Sequence, residues 1–152
     1  MRTSEIERIT NETKVNLVLN LDGVGRGKIK TNIPFFDHML EQLTFHSLVN
    51  LELNARGDID IDFHHSVEDC GICLGKAFVE AIGDKKGINR YGFFLLPMDD
   101  ALIRVALDFS GRSFLSWKVN FPTNRVGNFD LELVREFFNA FSTNSGVTLH
   151  VE

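Results

Sequence analysis

Apolar and polar residues alternate along the first part of the chain. Val15, Leu17, Leu19 and Leu21 recur at every second position, with Asn16, Val18 and Asn20 between them, the two-residue period of a half-buried strand. Asp22-Gly23-Val24-Gly25-Arg26-Gly27 then reads as a turn. Its glycines do not make a phosphate loop, because no Gly-Lys-Ser/Thr ending follows and the next residues look extended. The period changes near Pro34 to Asp37, where a helix is expected to start and run to about His46, with proline in its first turn and Asp37 placed to cap it. Phe36, Met39, Leu40 and Leu43 form its apolar face, while His38, Gln42 and His46 recur every four residues along another.

Alternation returns in Val49, Leu51 and Leu53 and again in Ile59, Ile61 and Phe63, predicting two strands joined through Arg56-Gly57-Asp58. Asp58, Asp60 and Asp62 would then share a solvated face. A calcium loop is excluded, since Phe63 and Asp69 stand where that loop needs glycine and glutamate. Ser66 followed by Asp69 is a capping-box variant, so the next helix is expected over Val67–Ile82, with Gly71 and Gly75 one turn apart for close packing.

After a loop over Gly83–Asn89, strands are expected near Ala101–Asp108 and Phe114–Phe121, a helix near Asp130–Phe141 and a strand at Val147–Val151. Phe36-Asp37-His38-Met39-Leu40 and Phe129-Asp130-Leu131-Glu132-Leu133 share a Phe-Asp-x-x-Leu pattern, which suggests an internal duplication. The halves would be about 8–83 and 91–152, the second incomplete, because Val147–Val151 corresponds to Val49–Leu53 and no His-His helix follows it.

Composition narrows the function. A chain of 152 residues, 43% hydrophobic, supports one domain with a sizeable core. A net charge of -5 gives no broad basic field, which argues against nonspecific nucleic-acid binding and requires any anionic substrate to be caught locally. Runs such as Phe93–Leu96 are far too short to span a membrane and Met1–Glu5 lacks the apolar core of a signal peptide, so a cytoplasmic location is expected. Cys70 and Cys73 have CxxC spacing but no second pair, and they read as small packed residues of a helix.

The chemistry concentrates in His64-His65-Ser66-Val67-Glu68-Asp69. Imidazoles and carboxylates suit zinc, manganese and iron, and His65 with Glu68 has the spacing to share an ion across a helix start. Neighbours in extended chain point to opposite sides, so His64 and His65 imply either two metal centres or a site between subunits. Four of the five histidines, His38, His46, His64 and His65, fall in two segments. Arg90 and Arg112 lie near glycines in expected loops, where a guanidinium can grip phosphate or simply be solvated.

These residues resemble the imidazoleglycerol-phosphate dehydratase family of histidine biosynthesis. The resemblance rests on ordered blocks: Asn11-Glu12-Thr13, Phe36–Leu40, Gly57–Asp60, His64–Asp69 with Gly71-Ile72 and Gly75, Arg90-Tyr91-Gly92, Pro97-Met98-Asp99, Asp108–Arg112 and Thr148-Leu149-His150. It implies an α+β fold, an internally duplicated α/β sandwich whose halves each carry a mostly antiparallel sheet backed by helices, like the second domain of ribosomal protein S5. It also implies trimers assembling into a particle of 24 subunits, with sites at subunit interfaces and two manganese ions per site. His38, His64, His65 and Glu68 match family ligand positions, and Glu136 stands where some members have a further histidine ligand. Glu12, Arg90, Arg112 and the helix from His38 to His46 would surround the substrate, with Glu12 and Glu68 as catalytic candidates.

The implied reaction is loss of water from imidazole glycerol phosphate to give imidazole acetol phosphate. Manganese on the ring nitrogen would stabilise an imidazolate that expels the hydroxyl through a diazafulvene-like species, Glu12 would transfer the proton, and Arg90 and Arg112 would hold phosphate. Ser47 and Ser113 replace a common glycine and proline of the family, with no expected consequence. Family members continue past Leu149–Glu152 into a second His-His-x-x-Glu segment, so a chain stopping at Glu152 is expected to be inactive. The rival readings are a metallohydrolase of a phosphorylated substrate and a non-catalytic metal-binding assembly module.

Overall fold

The computed structural model describes all residues from 1 to 152, and in it the alternating segments pair into two four-stranded sheets with the same wiring. The first sheet comprises β1 (Thr3–Ile9), β2 (Thr13–Asn20), β3 (Gly27–Lys30) and, after helix α1 (Pro34–Ser47), β4 (Asn50–Gly57), in the order β1-β2-β4-β3. Helix α2 (His64–Ile82) follows. The second sheet comprises β5 (Tyr91–Met98), β6 (Ala101–Asp108) and β7 (Phe114–Trp117), and it is completed after a small β8–β9 hairpin (Arg125–Val126, Phe129–Asp130) and α3 (Glu132–Ser145) by β10 (Thr148–Val151). Its order is β5-β6-β10-β7. In each sheet the first three strands of that order are antiparallel and the last is parallel to its neighbour.

Burial follows the pleat. Val15, Leu17 and Leu19 of β2 and Leu51 and Leu53 of β4 face inward and are buried, with Asn16, Val18 and Glu52 between them on the outer face. They meet Val67, Cys70, Cys73 and Leu74 of α2, which packs on β1, β2 and β4 with one side and on α3 with the other. Each such side chain contributes ~1.5–3 kcal/mol by leaving water. The free thiols of Cys70 and Cys73 are buried in this core, as their helical pattern suggested. Gly71 and Gly75 make the α2–α3 approach possible, because a Cβ would stand 2.6 Å from the Phe137 carbonyl oxygen at the first and 2.8 Å from that of Phe141 at the second.

Several local expectations are corrected. Ile59, Ile61 and Phe63 form no strand: β4 ends at Gly57, and the Ile61 amide closes a turn on the Asp58 carbonyl at 2.9 Å. The α2 helix starts at His64 rather than Val67, with Phe63 at the N-cap position and Asp62 Oδ1, just before it, accepting from the His64 amide at 2.7 Å. Ser66 therefore caps nothing, and its Oγ is buried without a partner. Asp37 does not cap α1 either. It lies inside the first turn and accepts from the Thr31 amide and hydroxyl at 2.8 and 2.6 Å. Strands β1 and β5 were not expected at all. β5 is unusual in carrying Phe93, Phe94, Leu95 and Leu96 all more than half exposed.

Candidate active site

The site begins where β4 hands the chain to α2. Since the helix already includes His64, the two histidines occupy its first turn and diverge there, with ring centroids 6.1 Å apart and planes at 86°. Helical spacing pairs His64 with Glu68, Nε2 to Oε2 at 3.8 Å, in place of the expected pairing of His65 with Glu68. His65 turns the other way, and its Nδ1 lies 2.9 Å from Oδ2 of Asp58. That hydrogen bond raises the His65 pKa, helped by the negative charges of Asp58, Glu12 and Asp62 and opposed by partial desolvation.

Glu12 reaches this neighbourhood from the turn between β1 and β2. The Thr10 hydroxyl accepts from the amides of Glu12 and Thr13 at 3.2 and 2.9 Å. Thr13 Oγ1 in turn donates to Asp69, whose buried carboxylate also receives Arg8 Nε at 2.9 Å. The residue read from sequence as half of a capping box is thus an internal anchor, joining α2 to β1 and to the turn bearing Glu12. Nothing in the sequence spacing advertises this, because the partners are 56 and 61 residues apart.

The other candidates are more dispersed. His38 and His46 are exposed on α1, His46 resting edge-on against Phe45. Arg90 closes a two-pronged bond on Asp108 at 2.6 and 3.0 Å and lies over the Tyr91 ring, while the exposed Arg112 side chain has no ion pair. Glu136 is half-buried on α3 without a charged partner.

Neutral imidazole with carboxylate is a donor set that manganese accepts, and the half-exposed His64 and Glu68 suit it. Nowhere, however, do three His, Cys, Asp or Glu side chains converge closely enough to hold an ion. The residues present fit a share of a metal shell, with the remaining donors required from outside this arrangement.

The sequence profile described as imidazoleglycerol-phosphate dehydratase matches residues 31–152. A protein of that name from Cereibacter sphaeroides is 57% identical over all 152 residues, which cover 78% of its length. The chain belongs to the imidazoleglycerol-phosphate dehydratase family. Its namesake from a Ruegeria species is 56% identical over the same span. Among solved structures, the imidazoleglycerol-phosphate dehydratase of Staphylococcus aureus superposes with a TM-score of 0.88 at 39% identity, covering 99% of this chain and 82% of the other. The enzyme from Pyrococcus furiosus does so with a TM-score of 0.83 at 31% identity, covering 97% and 78%. The duplicated sandwich is therefore this family's fold. No helix is long and apolar enough to cross a membrane.

Proposed function

We propose that the full gene product dehydrates imidazole glycerol phosphate to imidazole acetol phosphate in histidine biosynthesis. Family membership carries the reaction class, and the observation that carries the assignment of residues is the gathering of Glu12, Asp58, His64, His65 and Glu68 at the start of α2.

In this reading His38, His64, His65 and Glu68 would help to hold two manganese ions, with Glu136 the weakest claimant. Bound manganese supplies Lewis acidity toward the imidazole ring. Glu12 takes the proton from a carbon that no carbonyl activates, as the exposed carboxylate of a turn pinned by Thr10 and Thr13. The hydroxyl departs with a proton as water, and the enol so formed becomes the ketone of the product. Glu68 assists beside His64, and His46 lines the substrate from α1. Arg112, whose guanidinium has no ion pair, is the readier phosphate ligand; Arg90 must share its fork with Asp108. Sites completed between subunits of a homo-oligomer, trimers building a particle of 24, fit the small number of donors converging within one chain.

The test is to incubate the gene product with imidazoleglycerol phosphate and manganese and to analyse the product by mass. Loss of one water with phosphate retained is expected. Release of inorganic phosphate would favour a metallohydrolase, and metal-dependent change of particle size without any turnover would favour an assembly module.

A further inference from the structure

Asp58 was read from sequence as one of three carboxylates on a solvated strand face, yet its side chain is only 19% exposed and is aimed at the site. We infer that Asp58 is a positioning residue, holding His65 with Nδ1 protonated and Nε2 bare and turned outward as a ligand atom.

Three observations carry this. The first is the contact itself: a carboxylate oxygen only accepts, so the 2.9 Å approach to Nδ1 requires the proton on that nitrogen, and in the neutral ring, the form that binds a metal, this leaves the lone pair on Nε2. A neutral imidazole in water favours the opposite tautomer, so the pairing selects one rather than recording a default. The second is rigidity. Gly57, the last residue of β4, has no room for a Cβ because Ser66 Oγ of α2 and the Thr13 side chain fill that space. Asp58 also accepts the Ile61 amide on its carbonyl. The carboxylate is therefore delivered from a fixed strand end onto the first turn of a helix, not from a mobile loop.

The third is an unsatisfied atom. Asp58 Oδ1 is buried and receives no hydrogen bond. Such an oxygen costs stability, which is not what a residue kept for folding alone would show. A group held at some cost to stability, with its other oxygen on a ligand imidazole, is the arrangement by which outer groups orient metal-binding histidines.

The inference rests on the proposed role of His65 toward manganese, and the experiment separates the two. Metal-free protein labelled with 15N is read by long-range 1H–15N correlation, with His65 assigned through His65→Gln. At a pH high enough for the ring to be neutral, the wild type should show the Nδ1–H tautomer; Asp58→Ala should lose it, and Asp58→Asn should weaken it. In Mn²⁺ titrations followed by electron paramagnetic resonance, Asp58→Ala should bind about 10–100-fold more weakly, with melting temperature unchanged or higher. An unaltered tautomer in Asp58→Ala, or a lost one with unaltered Mn²⁺ affinity, overturns the assignment, as does a lowered melting temperature with no change in the ring. Should Asp58→Ala fail to fold, Asp58→Asn decides by the same readings. If His65→Gln binds Mn²⁺ as tightly as wild type, the metal role of His65 fails while the tautomer still reports on Asp58.

Discussion

In the proposed reaction Glu12 is the base, carried by a turn in which the amides of Glu12 and Thr13 are tied to the Thr10 hydroxyl, with its negative charge helping to raise the His65 pKa. Glu12→Gln keeps that turn and removes the base, so kcat is expected to fall by roughly 10²–10⁴-fold with an unchanged circular dichroism spectrum. Cys73 offers a check on the core. Burial pushes its thiol from 9.0 to about 11, and burial likewise holds Cys70 well above its ordinary value. The native state thus keeps the proton longer than the unfolded chain does, so from these groups stability should be untouched below about pH 9 and decline toward pH 11 in denaturant titrations. Both thiols should react with a disulfide reagent only on unfolding. At this scale the sequence revealed the identities of His64, His65 and Glu68 but not their pairing, because pairing depended on where the helix began. Asp58 and Asp69 were misread for the same reason: their partners lie across a turn or on other strands.

Helix α2 organises everything around it. Its first turn presents the histidines, its Asp69 anchors β1 and the Glu12 turn, and its glycine face receives α3. Gly71→Ala tests that last contact. Helix propensity alone favours alanine by ~1 kcal/mol, but the added carbon would meet a backbone carbonyl 2.6 Å away. A net loss of ~1–3 kcal/mol is expected in urea denaturation, and a gain in stability would show that the helices separate without cost. The end of α2 and the roles of Gly71 and Gly75 were legible, since periodicity and small residues record packing directly. Its start was not, because Ser66 and Asp69 imitate a cap while the helix begins earlier, at His64, whose amide donates to Asp62. β1 escaped notice because Ile6 is its one buried apolar residue, and β5 because a continuous apolar run does not alternate.

For the whole molecule, the Phe-Asp-x-x-Leu echo points to the duplication that the sheets display: Phe36 and Phe129 now stack on each other, 6.2 Å between centroids, at the meeting of the halves. The two halves differ in dress. The first sheet is covered inside by α2 and faces out with charged and polar side chains, whereas the β5–β6 hairpin leaves apolar residues exposed. No sequence pattern foretold that difference, since burial there depends on neighbours beyond the local strand. The most direct measurement is turnover of imidazoleglycerol phosphate by the gene product after chelation, with and without manganese restored. The account predicts no dehydration in the stripped protein and its return with manganese. Dehydration that persists undiminished without metal, or none when metal is supplied, would contradict it.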